Sequence, residues 1–319
     1  MITSMETNNN FNPQVNNERE IDLSELFSVL WDGKWMVVGI TTIFSIAAVI
    51  YSLSLPNVYQ SRAILSPVGD SGGGGLSQVM KNYGGLASLA GVNLSSTDAG
   101  SNSVKALEKL NTLSFFENNI MPNIFLPDLM ALDYWDASSN KVVYDNSIFD
   151  ESSQKWVRDF AYPQTQIPSP QESFNVFVGH LQASKDIDTG FVSISVKHES
   201  PYVAQEWTEL IIDQLNYFFR AKDKLEAQAA MDYLNIQMAQ TSFAEIKLVI
   251  AQLLQQKMQQ LALVEANNFY VFDYIDPPAV METKSEPIRS LICIIGALLG
   301  GIIGCLVIII RFFASNQKP

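Results

Sequence analysis

The chain has 319 residues, 47% of them hydrophobic and 17% charged, with a formal net charge of -13. Charge of that sign repels phosphate backbones, and no basic stripe with interleaved aromatics offsets it, so nucleic acid is excluded as a partner. The two cysteines, Cys293 and Cys305, share one apolar block and on one helix lie ~18 Å apart. That distance rules out a disulfide between them, and without a CxxC motif or further ligands nearby no zinc site is expected.

Residues 1–20 are Asn-rich and polar, a composition that cannot bury a core and predicts disorder. Asp22 then caps a short helix with Glu25 at the third position, and Leu23, Leu26, Phe27, Leu30 and Trp31 share its face. This reads as an amphipathic segment at the cytoplasmic surface, with Trp31 and Trp35 at headgroup level, or as the plain start of the next helix. No residue from 35 to 61 is charged, and 35–55 is apolar enough to cross a bilayer core of ~30 Å. Because a long polar stretch precedes it, this run is a retained anchor and not a cleaved signal.

Past the anchor, 58–67 (VYQSRAILSP) carries β-branched and apolar residues closed by proline, which predicts a strand. The glycine cluster 69–75 lacks a following Gly-Lys-Ser/Thr and is a loop without phosphate chemistry. Gly84, Gly85 and Gly91 with Leu86, Leu89 and Val92 suggest a short helix or buried loop, and 103–118 shows helical spacing through Val104, Leu107, Leu110, Leu113 and Phe116. From 133 to 170 the periodicity fades into a surface excursion with one short strand, 141–144. Its acids Asp133, Asp136, Asp145, Asp150 and Glu151 read as solvated turn residues, since paired catalytic carboxylates need an enclosed pocket. Pro170 opens a helix through Phe174, Phe177, Val178 and Leu181, and Gly190 introduces an alternating strand, 191–196. His180 and His198 have no Ser, Cys or acidic partner at a motif spacing and read as structural.

The stretch 201–269 then contains neither Gly nor Pro after its first residue. Ser200 is the N-cap and Pro201 the first helical residue. Val203, Trp207, Leu210, Ile211, Leu215 and Phe218 recur at helical steps, followed by Leu225 and Ala229. Near Thr241 the pattern restarts with a capping box, Ser242 and Glu245, and a second stripe of Phe243, Ile246, Ile250, Leu253, Leu254, Leu261 and Val264. The spacing predicts a hairpin of two helices, 201–240 and 242–266, with one continuous rod as the alternative. Arg220, Lys222 and Lys224 read as a solvated helix face.

Residues 270–275 (YVFDYI) form a strand that should rejoin a sheet with 58–65 and 191–196 in a compact α/β base. Pro277, Pro278 and Pro287 hold the chain extended down to Arg289. A second charge-free run, 290–310, ends at Arg311. Within it Gly296, Gly300 and Gly304 are spaced by four, with Gly301 beside them, a pattern that lets helix backbones approach closely. Two spans put both termini on one side; the excess of Arg19, Lys34, Arg311 and Lys318 over Arg62, Lys284 and Arg289 is slight and long loops escape the charge rule, so placing the large loop outside the cytoplasm rests partly on this excess and more on the family resemblance that follows.

The entry IDLSELFSVLWDGKW, the strand VYQSRAIL, the segment QMAQTSFAEIKLVIAQLLQQ, the run YVFDYIDPPAV and the glycine-rich second span together resemble the Wzz-type chain-length determinant proteins, polysaccharide co-polymerases without a kinase domain. The resemblance runs from about Glu20 to Phe313. It implies an α+β membrane protein in which two transmembrane helices flank a periplasmic α/β base with a long protruding helical hairpin. The corresponding plan is a cytoplasmic tail with amphipathic helix (1–34), a first span (35–56), a periplasmic chain-length determinant domain (57–289), a second span (290–311) and a cytoplasmic tail (312–319). By resemblance, Pro277, Pro278, Pro287, Gly296, Gly300, Gly301 and Gly304 match the family's proline/glycine motif of membrane approach and span packing. The implied function is non-catalytic control of O-antigen or related lipopolysaccharide chain length from the inner membrane. Its implied partners are further copies of the chain, an integral-membrane polymerase, membrane lipid and the growing glycan, with no cofactor or metal. No GxxxxGK[ST] motif occurs, so ATP chemistry is not expected. A two-span sensor would need a signalling module that the short termini do not supply. A periplasmic export adaptor working through its helical hairpin is the remaining alternative.

Overall fold

The computed structural model describes residues 30–68, 99–266 and 269–316. The expected leader helix from Asp22, apart from its last turn, and the glycine clusters at 69–75 and 84–91 lie outside the described residues. The chain divides into two compact units, Met1–Leu55 with Ile288–Pro319, and Pro56–Pro287. Helices and strands are mixed in the second unit, whereas the first holds two apolar helices, α1 (Lys34–Ser54) and α7 (Arg289–Asn316).

Strands β1 (Tyr59–Pro67), β6 (Leu181–Lys185), β7 (Val192–His198) and β8 (Phe272–Asp276) build one antiparallel sheet in the order β6-β7-β1-β8. Alternation decides its faces. Ser61, Ala63 and Leu65 of β1 and Val192, Ile194 and Val196 of β7 are buried, while Arg62 stands on the other side. The first half of α5 (Pro201–Gln240) covers the buried face with Val203, Trp207, Ile211, Ile212, Leu215 and Phe219. Ser200 caps this helix, its hydroxyl accepting from the Val203 N–H.

One buried amide fastens the last strand to that helix. Asn216 Oδ1 accepts from the N–H groups of Tyr270, Val271 and Phe272 at 3.2, 2.8 and 2.9 Å, and Nδ2 donates to the Phe272 carbonyl at 3.0 Å. Backbone groups at the start of β8 thus find partners inside the core, where leaving them unpaired would cost about 1–3 kcal/mol each. The points where the chain enters and leaves this unit are also tied. Val58 N–H donates to the Glu286 carbonyl, Ser285 N–H to the Val58 carbonyl, and Lys197 pairs with Glu286.

Several elements differ from expectation. The helix expected through Leu181 is α4 (Pro170–His180), and Leu181 opens β6 by pairing with Val196. Strand β6, LQASK, lacks β-branched residues, so its conformation is set by the neighbouring strand and not by propensity. The helix expected over 103–118 is α2 (Ala99–Leu110), followed by a break and a second helical stretch from Leu113. Thr112 makes that break: its hydroxyl donates to the Lys109 carbonyl while its own carbonyl accepts from the Phe115 and Phe116 N–H groups. A short helix α3 (Leu126–Met130) leads into the excursion.

That excursion is two hairpins, β2 (Leu132–Asp136) with β3 (Lys141–Tyr144), and β4 (Phe149–Asp150) with β5 (Lys155–Trp156). Their loops repeat the same chemistry. Asp136 accepts from the N–H and hydroxyl of Ser138 and the hydroxyl of Ser139; Asp150 does the same with Ser152 and Ser153. Asn140 and Gln154 then take φ of 50° and 53°, the left-handed position that closes each loop. Those hydrogen bonds hold the Asp136 carboxyl below the usual range and the Asp150 carboxyl at about 2. Downstream, Arg158 forks onto Glu172 in the first turn of α4 and donates to the carbonyls of Thr165 and Gln166, fixing the connecting loop.

The long helical stretch is a hairpin and not a rod. Helix α5 spans ~60 Å, the chain turns at 241–243, and α6 (Ala244–Ala266) returns along it. Lys224 and Glu265 form an ion pair across the two helices, so the expected basic face is partly a helix-helix contact; Lys222 pairs along its own helix with Glu226. The expected capping box at Ser242 is not where α6 starts. The first backbone bond runs from Lys247 N–H to the Phe243 carbonyl, which puts Phe243 in the cap position.

Candidate functional site

Within the first unit, α1 and α7 pack as an antiparallel pair through small residues. A Cβ on Gly296 would overlap the Cβ of Ala48. On Gly300 it would sit 2.8 Å from Phe44 Cβ and 2.9 Å from Thr41 Cα, and on Gly304 3.1 Å from Val37 Cα. One turn further, Ile308 fills the space above Gly33. Gly296, Gly300, Gly304 and Ile308 thus form a ridge of four-residue steps whose partner is the chain's own first apolar helix. Gly301 lies off this ridge: a Cβ there would meet only Thr41 Oγ1, at 3.9 Å. The α1 side of the contact was missed in the sequence. Its signal is the row Gly33, Val37, Thr41, Phe44 and Ala48, again at three- and four-residue steps. Away from the contact, Ile43, Ile46, Ile50 and Leu53 of α1 and Leu298, Ile302, Leu306 and Ile310 of α7 are exposed. Both helices are long and apolar enough to cross a membrane.

The prolines belong to the other unit. Pro277 and Pro278 follow β8 directly, in a segment pinned to β1 by the Ser61 hydroxyl donating to the Ala279 carbonyl at 2.9 Å. Pro287 comes after the Glu286 bridge to Val58. The structure therefore brings Gly296, Gly300 and Gly304 together on one helix face, leaves Gly301 off it, and puts Pro277 and Pro278 at the exit of β8 and Pro287 beyond the Glu286 bridge.

Outside its base, the helical hairpin carries apolar side chains that none of the described residues covers. On α5 these are Leu225, Tyr233 and Ile236; on α6 they include Ile246, Val249 and Leu253, at one-turn steps. In α6, Ile250 and Val264 are the residues buried against the chain.

Polar chemistry in the core is structural. His198 is buried beside Trp207, its Nδ1 accepts from the Ser200 N–H at 2.9 Å, and Nε2 lies 3.1 Å from the Asp128 carbonyl. One ring nitrogen is thus an acceptor and the other a donor, the neutral tautomer. Burial, with the His180 ring nearby, holds this imidazole at about 4. Asp128 is pushed up by burial despite the Tyr144 hydroxyl bonded to it at 2.6 Å, and Glu206 adds to the rise. Among the described residues no cluster of His, Cys, Asp or Glu is arranged to hold a metal ion.

A mixed helix/strand body, bounded at both ends by apolar helices of membrane-crossing length and carrying an uncovered helical arm, is the class of protein defined by these features. Residues 19–109 match the model of the family Wzz, chain length determinant protein, the family that the sequence motifs resemble. It is also similar to the ferric enterobactin transport protein FepE of Escherichia coli (strain K12), at 23% identity over 94% of this chain and 91% of that protein. Among solved structures, a full-length bacterial polysaccharide co-polymerase covers 93% of this chain and 99% of its own at 12% identity and a TM-score of 0.40. A fragment of WzzB, polysaccharide co-polymerase from Salmonella Typhimurium, covers 72% of this chain and all of its own at 14% identity and a TM-score of 0.28.

Proposed function

We propose that this protein is a non-catalytic regulator of polysaccharide chain length, of the O-antigen or a related lipopolysaccharide, acting as an oligomer beside a separate polymerase in the inner membrane. In this reading α1 and α7 cross the bilayer, packed through Gly296, Gly300 and Gly304, and the unit between them stands in the periplasm. Pro277, Pro278 and Pro287 guide the chain back to the membrane, and Gly301, off the intramolecular ridge, is left to face lipid or the polymerase. The observation that carries the reading is the arm. Monomeric soluble proteins rarely leave a contiguous apolar stripe open, and a row such as Ile246, Val249 and Leu253 on a free helix face fits a neighbouring copy of the same hairpin.

The test is the length profile of surface polysaccharide, by gel, in a strain lacking the gene and after its restoration. Loss of a preferred band cluster, with polymer still made at scattered lengths, is the expected result. An unchanged profile would sink the reading. Complete loss of surface polymer would favour an export adaptor, in which case deleting residues 240–245 should abolish export and leave chain length untouched.

A further inference from the structure

The sheet has a second face, opposite the one covered by α5, and it is polar. Gln60 Nε2 donates to Ser195 Oγ at 2.8 Å and to Gln182 Oε1 at 3.3 Å, so at one end of this face the side chains satisfy one another. Toward the β6-β7 turn they do not. There a cleft of about 380 Å³ opens, with Arg62, Ser184, Asp186, Ser193 and Phe191 among its lining. Alternation puts these five on one side of the three strands, since Arg62 faces out beside buried Ala63, and Phe191 and Ser193 flank buried Val192. Among the described residues, the Arg62 guanidinium and the hydroxyls of Ser184 and Ser193 have no hydrogen-bond partner, and the Phe191 ring is 40% exposed.

We infer that this cleft is a glycan-binding site that holds a short neutral stretch of polysaccharide against the outer face of the sheet. Sugar rings present hydroxyls at their edges and C–H groups on their faces. The cleft offers the complement: a guanidinium with donors in a fixed fork, two hydroxyls that donate and accept, and an aromatic ring on the rim. Asp186 supplies an acceptor. Its Oδ1 is held by the N–H groups of Asp188 and Thr189 at 2.8 and 3.0 Å, and with the Thr189 side chain these bonds keep the carboxyl below the usual range and therefore ionised, an exposed acceptor at the cleft's edge. Lys185 also lines the cleft, but its ammonium donates to Ser103 Oγ at 3.3 Å, so Asp186 stands as the counter-charge to Arg62 and the cleft is a poor fit for a phosphate or other anion. An extended peptide would add to the exposed edge of β6, not to a sheet face. The volume falls in the ~300–1,000 Å³ range of small-molecule clefts.

This inference rests on the chain-length reading, and its test separates the two. In cells making the full chain, p-benzoylphenylalanine replaces Phe191 in one strain and Ile187, 97% exposed on the β6-β7 turn, in another. After irradiation the protein is examined by immunoblot with and without periodate. At 191 the expected product is a ladder of adducts spaced by the polysaccharide repeat and collapsed by periodate, with little at 187. Adding Arg62→Ala to the 191 strain should lower the ladder about tenfold, the loss of one charged hydrogen bond, and Arg62→Lys should restore part of it. A single adduct at twice the subunit mass, a ladder of equal strength at 187, or no adduct overturns the inference. If the band cluster still depends on the gene while the ladder is missing, the site is wrong and the regulator reading survives; if the cluster does not depend on the gene, the regulator reading fails independently of the ladder.

Discussion

The two halves of α5 have the same helical period and opposite fates. Along 201–219 the stripe Val203, Trp207, Ile211, Leu215 and Phe219 is buried against the sheet, whereas further along Leu225, Tyr233 and Ile236 are each more than half exposed. Hydrophobic spacing says which face of a helix avoids water. It does not say whether the cover comes from the same chain. The lower half is the wall of a core that closes within one chain. The upper half, with α6, is a surface still in need of a partner. Trp207 marks the first regime, seated on Phe177 and edge-on to His198. Trp207→Ala should lower the free energy of unfolding by about 3–5 kcal/mol, read from the urea midpoint of the full chain in detergent. A loss below about 1 kcal/mol would mean that the buried half is no more committed to the core than the arm.

A second expectation separates the halves by pH, since the buried imidazole belongs to the base alone. His198 titrates at about 4 in the folded chain against 6.5 when free. Between those values the unfolded chain binds a proton that the folded chain refuses, so stability is full above pH 6.5, falls as the pH drops, and stops falling below about 4. The whole effect is roughly 3 kcal/mol. Asp128 acts the other way: its carboxyl is raised by burial, so it returns some stability as the pH falls. The urea midpoint should therefore decline over this window in the natural chain and stay nearly level in His198→Gln, whose amide keeps a donor and an acceptor. A slope unchanged by that substitution would assign the pH dependence to other groups.

Elements with strong local signals were legible in the sequence: the strand at 58–67, the Ser200-Pro201 cap, the restart near Thr241 and both apolar runs. What escaped had its cause elsewhere in the chain. LQASK has no strand propensity, and only the Leu181 to Val196 pairing shows that it is β6. The four-residue glycine spacing announced a close helix contact, but its partner was readable only once Gly300 lay against Thr41 and Phe44. Asp136 and Asp150 were correctly taken as turn acids. Their shared Asp-x-Ser-Ser loop was visible as letters, yet its meaning depends on the left-handed residue that each loop places before its lysine. The cleft around Arg62 had no linear signal at all, because its lining comes from three strands and the turn between two of them.

The arm gives the smallest expected effect on folding and the sharpest form of the comparison. Ile246, Val249 and Leu253 of α6 are 47%, 53% and 43% exposed, whereas Ile250 and Val264, close to them in helical angle, are buried. Changing all three to serine removes only what these half-exposed side chains bury within the chain, so stability should fall by no more than about 0.5 kcal/mol for each site. If a neighbouring copy covers that face, the same triple change should shift the detergent-solubilised protein to lower mass by light scattering and scatter the polysaccharide bands. Folding and assembly would then be written along one stripe of one helix. Should the triple variant lose stability on the scale of Trp207→Ala, the stripe would instead be serving the single chain, and the division of α5 into a committed and an uncommitted half would fail.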